Sequence, residues 1–366
     1  MTSFLIYGAN GYTGRLAAEH AAASGLRPIV AGRSRDDVEA LAKRLSLEHR
    51  VFDLHAPKGI LDGISGTSAV LHAAGPFSAT SRPMVDACLA SGIHYVDVTG
   101  EIAVFEAIAE RDADAKAAGV MLLPGAGFDV VPSDCLAAHV KHRLPGATRL
   151  RISIGGLGGG VSRGTALTML ERAGRGTTVR KGGRLVEIAG APRTTVDFGA
   201  GPRPAIGMSW GDVATAWRST GIPDIEVFFE ASPKLARAVT LSRLFRPLLS
   251  IGVVRGALAA QVRRRIPTGP TPERRARSRS VIVAQAWDDA TGASVRSRLV
   301  TAEAYTLTAW TAVEIASRAA SGGALPGYQT PATAFGADFV LSFPQAARED
   351  FRAASAGEAK TLDWEA

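Results

Sequence analysis

Cysteine is nearly absent: the 366 residues hold two, Cys88 and Cys135. They make no CxxC pair and the seven histidines are scattered, so the sequence offers no metal-ligand cluster. Both cysteines lie in apolar helical stretches, which points to buried, reduced thiols in a cytoplasmic protein. No apolar run approaches the roughly 20 residues of a membrane span. A strand-like run already begins at Ser3, so no signal peptide is expected. Aromatic residues make up 6% of the chain and do not interleave its basic stretches. The net charge of +8 is therefore not read as a nucleic-acid footprint, and much of it comes from arginines at 263–279. The length and an apolar content of 46% suit a globular chain with two separate cores.

Glycine is plentiful, and its placement at the start is informative. Ser3-Phe4-Leu5-Ile6-Tyr7 enters Gly8-Ala9-Asn10-Gly11-Tyr12-Thr13-Gly14, and an alanine-rich helical stretch runs from Arg15 to Ser24. Glycines at 8, 11 and 14 allow a tight turn, let the backbone approach a pyrophosphate and let helix and strand pack closely. The new helix turns unpaired N–H groups and a positive dipole end toward the phosphates. Gly8, Asn10, Gly11, Tyr12, Thr13 and Gly14 are thus expected to bind a dinucleotide.

One residue type is missing from that site. An Asp or Glu about 20 residues past the glycines usually holds the ribose hydroxyls. Here the second apolar run, 27–31, leads instead into Gly32-Arg33-Ser34-Arg35. Two guanidiniums and a hydroxyl suit a 2′-phosphate, so the cofactor is read as NADP, held by Arg33, Ser34 and Arg35. Asp36 and Asp37 are read as first-turn residues that complement a helix dipole without touching the ribose.

Further apolar runs at 50–54, 68–74, 94–98 and 119–123 alternate with helical segments at 14–24, 36–46, 80–92 and 103–118. This rhythm implies an α/β fold with a parallel sheet covered on both faces. Ligands in such sheets bind at the strands' carboxyl ends. There Asp53 is placed to meet the adenine or to cap the next segment, and Ala74-Gly75-Pro76-Phe77 lets ribose or nicotinamide lie over the backbone. His72, inside its strand, is read as a packed, satisfied histidine. Ser133 is read as the cap of a helix ending near Arg143.

From about 147 the pattern changes. Strands are expected at 150–154, 184–188, 194–198, 225–230, 281–287 and 294–300, with a helix at 164–174, as in a mixed or antiparallel sheet. The expected organisation is a dinucleotide-binding domain over 1–146 and an inserted α+β domain for substrate or dimerisation over 147–308. A return to the first domain follows over 309–350, and a flexible tail over 351–366. A homodimer is left open. Segment 233–266 mixes leucines with Arg243, Arg246, Arg255, Arg263, Arg264 and Arg265 around Pro247. It is either a helical pair packed on the second sheet or a peripheral contact with anionic membrane or a lipid-bound substrate.

Several motifs together resemble saccharopine dehydrogenase-like NADP-binding oxidoreductases, closest to their trans-acting enoyl reductase branch. They are the glycine turn, Ala31-Gly32-Arg33, Ala74-Gly75-Pro76-Phe77, Tyr95-Val96-Asp97-Val98-Thr99-Gly100-Glu101 and Gly127-Phe128-Asp129-Val130-Val131-Pro132-Ser133-Asp134. Downstream, Tyr305-Thr306-Leu307-Thr308 and Phe335-Gly336-Ala337-Asp338-Phe339 match the same group. The resemblance implies a Rossmann domain with an inserted α+β domain, and hydride chemistry with NADP(H). It supplies no agreed acid–base residue.

The residues themselves offer Asp97, Glu101, Asp129, Ser133 and Tyr305 as proton donors, with Glu101 and Asp129 foremost. Glu101 either faces the cofactor or caps the helix at 103–118. Asp129, between Phe128 and Val130, either has a raised pKa or bonds local N–H groups. The leading function is NADPH-dependent reduction of an enoyl or carbonyl group on a small-molecule, lipid or polyketide-like substrate. The alternatives are an imine or amino-acid reductase of saccharopine type, which would want paired arginines such as Arg82 and Arg163, and a non-catalytic NADP(H) sensor.

Overall fold

A computed structural model describes residues 3–156, 176–231, 252–266 and 268–352. The helix expected at 164–174, Arg163, residues 233–251 of the basic segment with Pro247, and the tail beyond 352 lie outside these residues. The chain forms two compact units, residues 1–135 with 304–343 and residues 136–303 with 344–366.

The first unit is built on a parallel sheet of β1 (Phe4–Tyr7), β2 (Ile29–Gly32), β3 (His49–Val51), β4 (Ala69–His72), β5 (His94–Asp97) and β6 (Met121–Leu123). A short strand, Gly327–Tyr328, adds to the β6 edge, and the order from there is β6-β5-β4-β1-β2-β3. Strand order reverses at β1, the position at which such sheets open a crevice. β1, β2 and β4 are buried along their whole length. That is why they read as continuous apolar runs rather than alternating ones.

The connecting helices are α1 (Tyr12–Ala23), α2 (Arg35–Leu45), α3 (Pro57–Ile64), α4 (Phe77–Ser91), α5 (Ile102–Ala109), α6 (Asp112–Ala117) and α7 (Val131–Arg143). Leu5, Ile60, Ile64, Val70, Met84, Cys88, Tyr95 and Leu122 join in one core. Cys88 and Cys135 are both free and buried. The helix Ala304–Ala320 packs against α1.

Two expectations change here, and one helix is new. The helix expected over 103–118 is two, because the chain leaves helical geometry at Arg111, whose side chain reaches Asp86 and Asp114. Ser133 does not cap α7. The helix has begun at Val131, and the Ser133 hydroxyl donates to the Val130 carbonyl at 3.0 Å. Helix α3, opened by Pro57, was not anticipated.

The second unit carries a mixed sheet. Its strands include β7 (Arg149–Gly155), β8 (Thr177–Lys181), β9 (Arg184–Ile188), β10 (Arg193–Asp197), β11 (Pro202–Gly207), β12 (Asp224–Glu230), β13 (Arg279–Trp287) and β14 (Ser294–Ala302). They run in the order β10-β11-β12-β7-β13-β14, with Ala347–Asp350 beside β14 and the β8–β9 hairpin against β12. Among the described strands of this sheet, the β7–β12 pair is parallel and the other pairs are antiparallel. One face carries Leu150, Ile152, Ile154, Val227, Ile282, Ala284 and Leu299, all buried. The period of two then puts Arg151, Ser153, Glu226, Phe228, Gln285 and Arg296 on the other face. In the helix Gly252–Arg265, Arg264 and Arg265 are exposed.

Candidate active site

β1 runs straight into the glycine turn. Gly8 has a φ of +81°, and a Cβ there would lie 2.8 Å from the Ala74 Cβ. A Cβ on Gly14 would lie 2.3 Å from the Gly8 carbonyl oxygen. These two glycines are demanded by the turn itself. Gly11 differs. It is exposed, and its nearest neighbour would be the Gly8 oxygen at 3.2 Å, so its missing side chain keeps the outside of the turn clear.

The turn is fixed to β2 by Gly8 N–H and Ala9 N–H donating to the Ala31 carbonyl at 2.8 and 3.1 Å. α1 opens with Gly11 as N-cap, with no side-chain cap and no acidic residue in its first turn. Its leading N–H groups and dipole therefore remain directed at an incoming anion. The clear outer surface at Gly11 and this uncapped helix start fit a dinucleotide pyrophosphate.

At the end of β2, Arg33 is exposed and, among the described residues, has no ion-pair partner. Its charge acts on Asp53 and Tyr7. Arg35 is paired with Glu39 at 2.9 Å. The Ser34 hydroxyl donates to Asp37 at 2.7 Å, and Asn10 Nδ2 donates to the same oxygen at 3.4 Å. Asp37 therefore ties the glycine turn to the α2 start, a role the sequence reading did not give it. The Ser-x-x-Asp spacing, a capping signature, was the available signal. Because Arg35 is partly committed to Glu39, Arg33 is expected to carry the larger share of any NADPH preference. Arg33→Ala with Arg35→Ala should cut the NADPH-to-NADH affinity ratio by about 10²-fold, as two charge-assisted hydrogen bonds imply. Paired titrations of both cofactors measure this.

Asp53 closes a local turn. It accepts from the His55 N–H at 2.6 Å and pairs with the His55 ring. The backbone bond, with the ring's help, holds its carboxyl below the usual range. Ala74, Gly75, Pro76 and Phe77 lead from β4 into α4, with a cis Gly75–Pro76 bond. The Thr80 hydroxyl donates to the Ala74 carbonyl at 2.6 Å and lies 3.0 Å from His72 Nε2. His72 is fully buried, as expected, but among the described residues its Nδ1 has no partner. Burial lowers its pKa to about 3, so it is neutral.

Glu101 follows β5 but reaches across to α4. Its two oxygens accept from Phe77 N–H at 2.8 Å and Ser78 N–H at 3.0 Å. It caps α4, not the helix that follows it. Glu101→Ala is expected to cost about 1–2 kcal/mol by uncapping that terminus, and Glu101→Gln less. Urea unfolding of the two variants checks this.

Asp97 is fully buried, accepting from Tyr95 Oη at 2.7 Å and from Thr99 and Gly125 N–H at 2.9 Å each. Burial pushes its pKa up to about 6. Asp129 lies past β6, in the turn before α7. A Cβ on Gly100 would meet its Oδ2 at 2.7 Å, so the carboxyl rests directly on the Gly100 backbone. Burial raises its pKa to about 7. The preceding residue is fixed by Phe128 N–H donating to Thr308 Oγ1 at 2.9 Å. Tyr305 packs edge-on against Tyr12, with ring centroids 5.1 Å apart. Asp129 and Glu101 thus flank Gly100 at the strands' carboxyl ends, whereas Arg82 is exposed on α4 beside Asp86.

A parallel sheet with a glycine turn and an uncapped helix start at its switch point defines a dinucleotide-binding domain. Residues 4–123 match the family described as the saccharopine dehydrogenase NADP binding domain. Over these residues the chain is similar to that NADP-binding domain. It is 34% identical over 149 residues to the trans-acting enoyl reductase of Mycobacterium leprae, covering 38% of this chain and 35% of that protein. It is 24% identical over 165 residues to the human saccharopine dehydrogenase-like oxidoreductase, covering 39% and 38%. The matches span less than half the length of these curated relatives.

Apo saccharopine dehydrogenase (L-Glu forming) from Saccharomyces cerevisiae has the same fold. Its TM-score is 0.64 at 11% identity, over 96% of this chain and 100% of that one. Among the described residues, no group of three or more His, Cys, Asp or Glu could hold a metal ion, and no helix is long and apolar enough to cross a membrane.

Proposed function

We propose that this protein is an NADPH-dependent oxidoreductase that reduces an enoyl or carbonyl group of a lipid or polyketide-like substrate. The glycine turn and α1 start hold the pyrophosphate, Arg33 and Ser34 hold the 2′-phosphate, and residues 74–77 support the nicotinamide half. NADPH, when bound, supplies the hydride. Asp129 supplies the proton to the carbon or oxygen that gains the electron pair.

The observation that carries this reading is Asp129 itself, a carboxyl with a pKa near 7 at the β6 end, resting on Gly100. An acid with that pKa is still about half protonated at neutral pH and can donate, whereas an ordinary carboxyl is almost wholly ionised. Glu101 is given the supporting role, because both its oxygens already accept from the α4 start. The trans-acting enoyl reductase names of relatives favour an acyl-type substrate over an amino acid.

The test is single-turnover oxidation of bound NADPH, followed at the nicotinamide absorbance band, with enoyl, carbonyl and imine acceptors. Faster oxidation with the imine would replace this reading with an amino-acid or imine reductase. No oxidation with any acceptor would leave a nucleotide sensor.

A further inference from the structure

The second unit contains a polar pocket that the dinucleotide chemistry does not use. It has a volume of about 60 Å³ and is lined by Arg151, Ser153, Thr195, Asp197, Gln285 and Arg296, with Val196 and Val283. By this measure one water needs about 10–15 Å³, so the space takes several waters or one small polar molecule. The register explains why these side chains meet. Ser153 pairs with Val283, Arg151 with Gln285, and Gln285 with Arg296, so β7, β13 and β14 present them on one face. Strand β10 closes over that face, with Arg151 Nη1 donating to Thr194 Oγ1 at 3.2 Å and Arg296 donating to the Asp197 carbonyl.

Most of the charge inside is already committed. Arg151 is locked to Glu226 at 2.5 Å and lies over the Phe228 ring at 4.8 Å. The Asp197 carboxylate accepts from Gly199 and Gly201 N–H at 2.7 and 3.1 Å. Three other groups face the space. Ser153 is 1% exposed and lines it. The Gln285 amide lines it from the neighbouring strand. Arg296 gives one nitrogen to the Asp197 carbonyl, lies over Phe351 at 4.8 Å, and feels the charges of Asp197 and Glu349, with no ion pair to either within 4 Å among the described residues. A buried hydroxyl, an amide and a guanidinium with open N–H groups are an expensive set to leave to disordered water.

We infer that this pocket binds the carboxylate group of a small organic acid, with Arg296, Gln285 and Ser153 as its donors. A planar carboxylate matches the guanidinium fork, and the remaining oxygen lone pairs suit an amide N–H and a hydroxyl. The inference is independent of the proposed reductase activity, because the pocket lies wholly within the second unit and its test does not read turnover.

The test is isothermal titration of the full-length protein with acetate and propionate, with propionamide as the uncharged analogue and sulfate and phosphate as other anions. Arg296→Met and Arg296→Lys are titrated alongside, with unchanged NADPH affinity and far-ultraviolet circular dichroism as the folding controls. The expected result is binding of both carboxylates, at least tenfold weaker for propionamide and in Arg296→Met, and intermediate in Arg296→Lys, which keeps the charge without the fork. Ser153→Ala, a small change on the same face, should weaken binding less. Carboxylate affinity that survives Arg296→Met, or equals that of propionamide, overturns the inference. So does tighter binding of sulfate or phosphate, or water alone in the pocket with no heat from any ligand.

Discussion

Asp129→Asn is expected to lower NADPH-dependent reduction by about 10²–10⁴-fold, the usual loss when a positioned proton donor is removed. NADPH affinity should be unchanged, because the substitution is nearly isosteric and the residue lies outside the glycine turn and the Arg33 region. The pH profile is the sharper readout. The wild-type donor works while protonated, so single-turnover reduction should be flat below about pH 7 and fall tenfold per unit above it, given a pKa of about 7. The variant's residual rate should lose that limb.

The same shift has a consequence for stability. A carboxyl whose pKa is raised by folding keeps its proton in the native state after the unfolded chain has lost its own. Its contribution is complete below the ordinary carboxyl range and is lost as pH rises through about 7. Asp129→Asn, which cannot ionise, should therefore lose less stability than wild type between about pH 4 and pH 7 in urea unfolding. A variant with full activity and an unaltered pH limb removes Asp129 from the chemistry.

Gly11→Val should abolish measurable NADPH binding while leaving both units folded. The position is exposed, begins α1 with an extended φ of −70°, and would bring its Cβ no closer than 3.2 Å to the Gly8 oxygen. A valine is thus tolerable to the chain but fills the space in front of the uncapped α1 start. Gly14→Ala is the informative contrast. Its Cβ would sit 2.3 Å from the Gly8 oxygen, so it should lose stability as well as binding. Thermal unfolding together with NADPH titration separates the two. Retained affinity in a folded Gly11→Val protein would show that this turn is not the phosphate site.

The first unit was legible because its signals are local. Continuous apolar runs mark strands buried on both faces, and the glycine spacing marks the turn between β1 and α1. Strand limits at 184–188 coincide with β9, which the Gly182-Gly183 turn sets off from β8. What was not legible depends on partners distant in sequence. Glu101 could be placed at a helix start from its position, but nothing local says that its oxygens reach the start of α4, 23 and 24 residues back. Asp37 looked like a dipole-complementing acid, and its bond to Asn10 spans 27 residues. The Arg296 pocket needed the register of three strands and the fold-over of β10, although Arg-x-Arg-x-Ser in β7 did carry polar residues at every second position. The short edge strands 327–328 and 347–350 escaped because two to four residues give no period to detect.

Hydride leaving NADPH is the central expectation. The most direct measurement is a stopped-flow single turnover, with enzyme in excess over NADPH, mixed with an enoyl thioester or a carbonyl acceptor and followed at the nicotinamide band. The expected result is loss of the band with wild-type protein, much slower loss with Asp129→Asn, and binding without loss when the acceptor is omitted. Tight NADPH binding with an undiminished band, whatever enoyl or carbonyl acceptor is supplied, would contradict it.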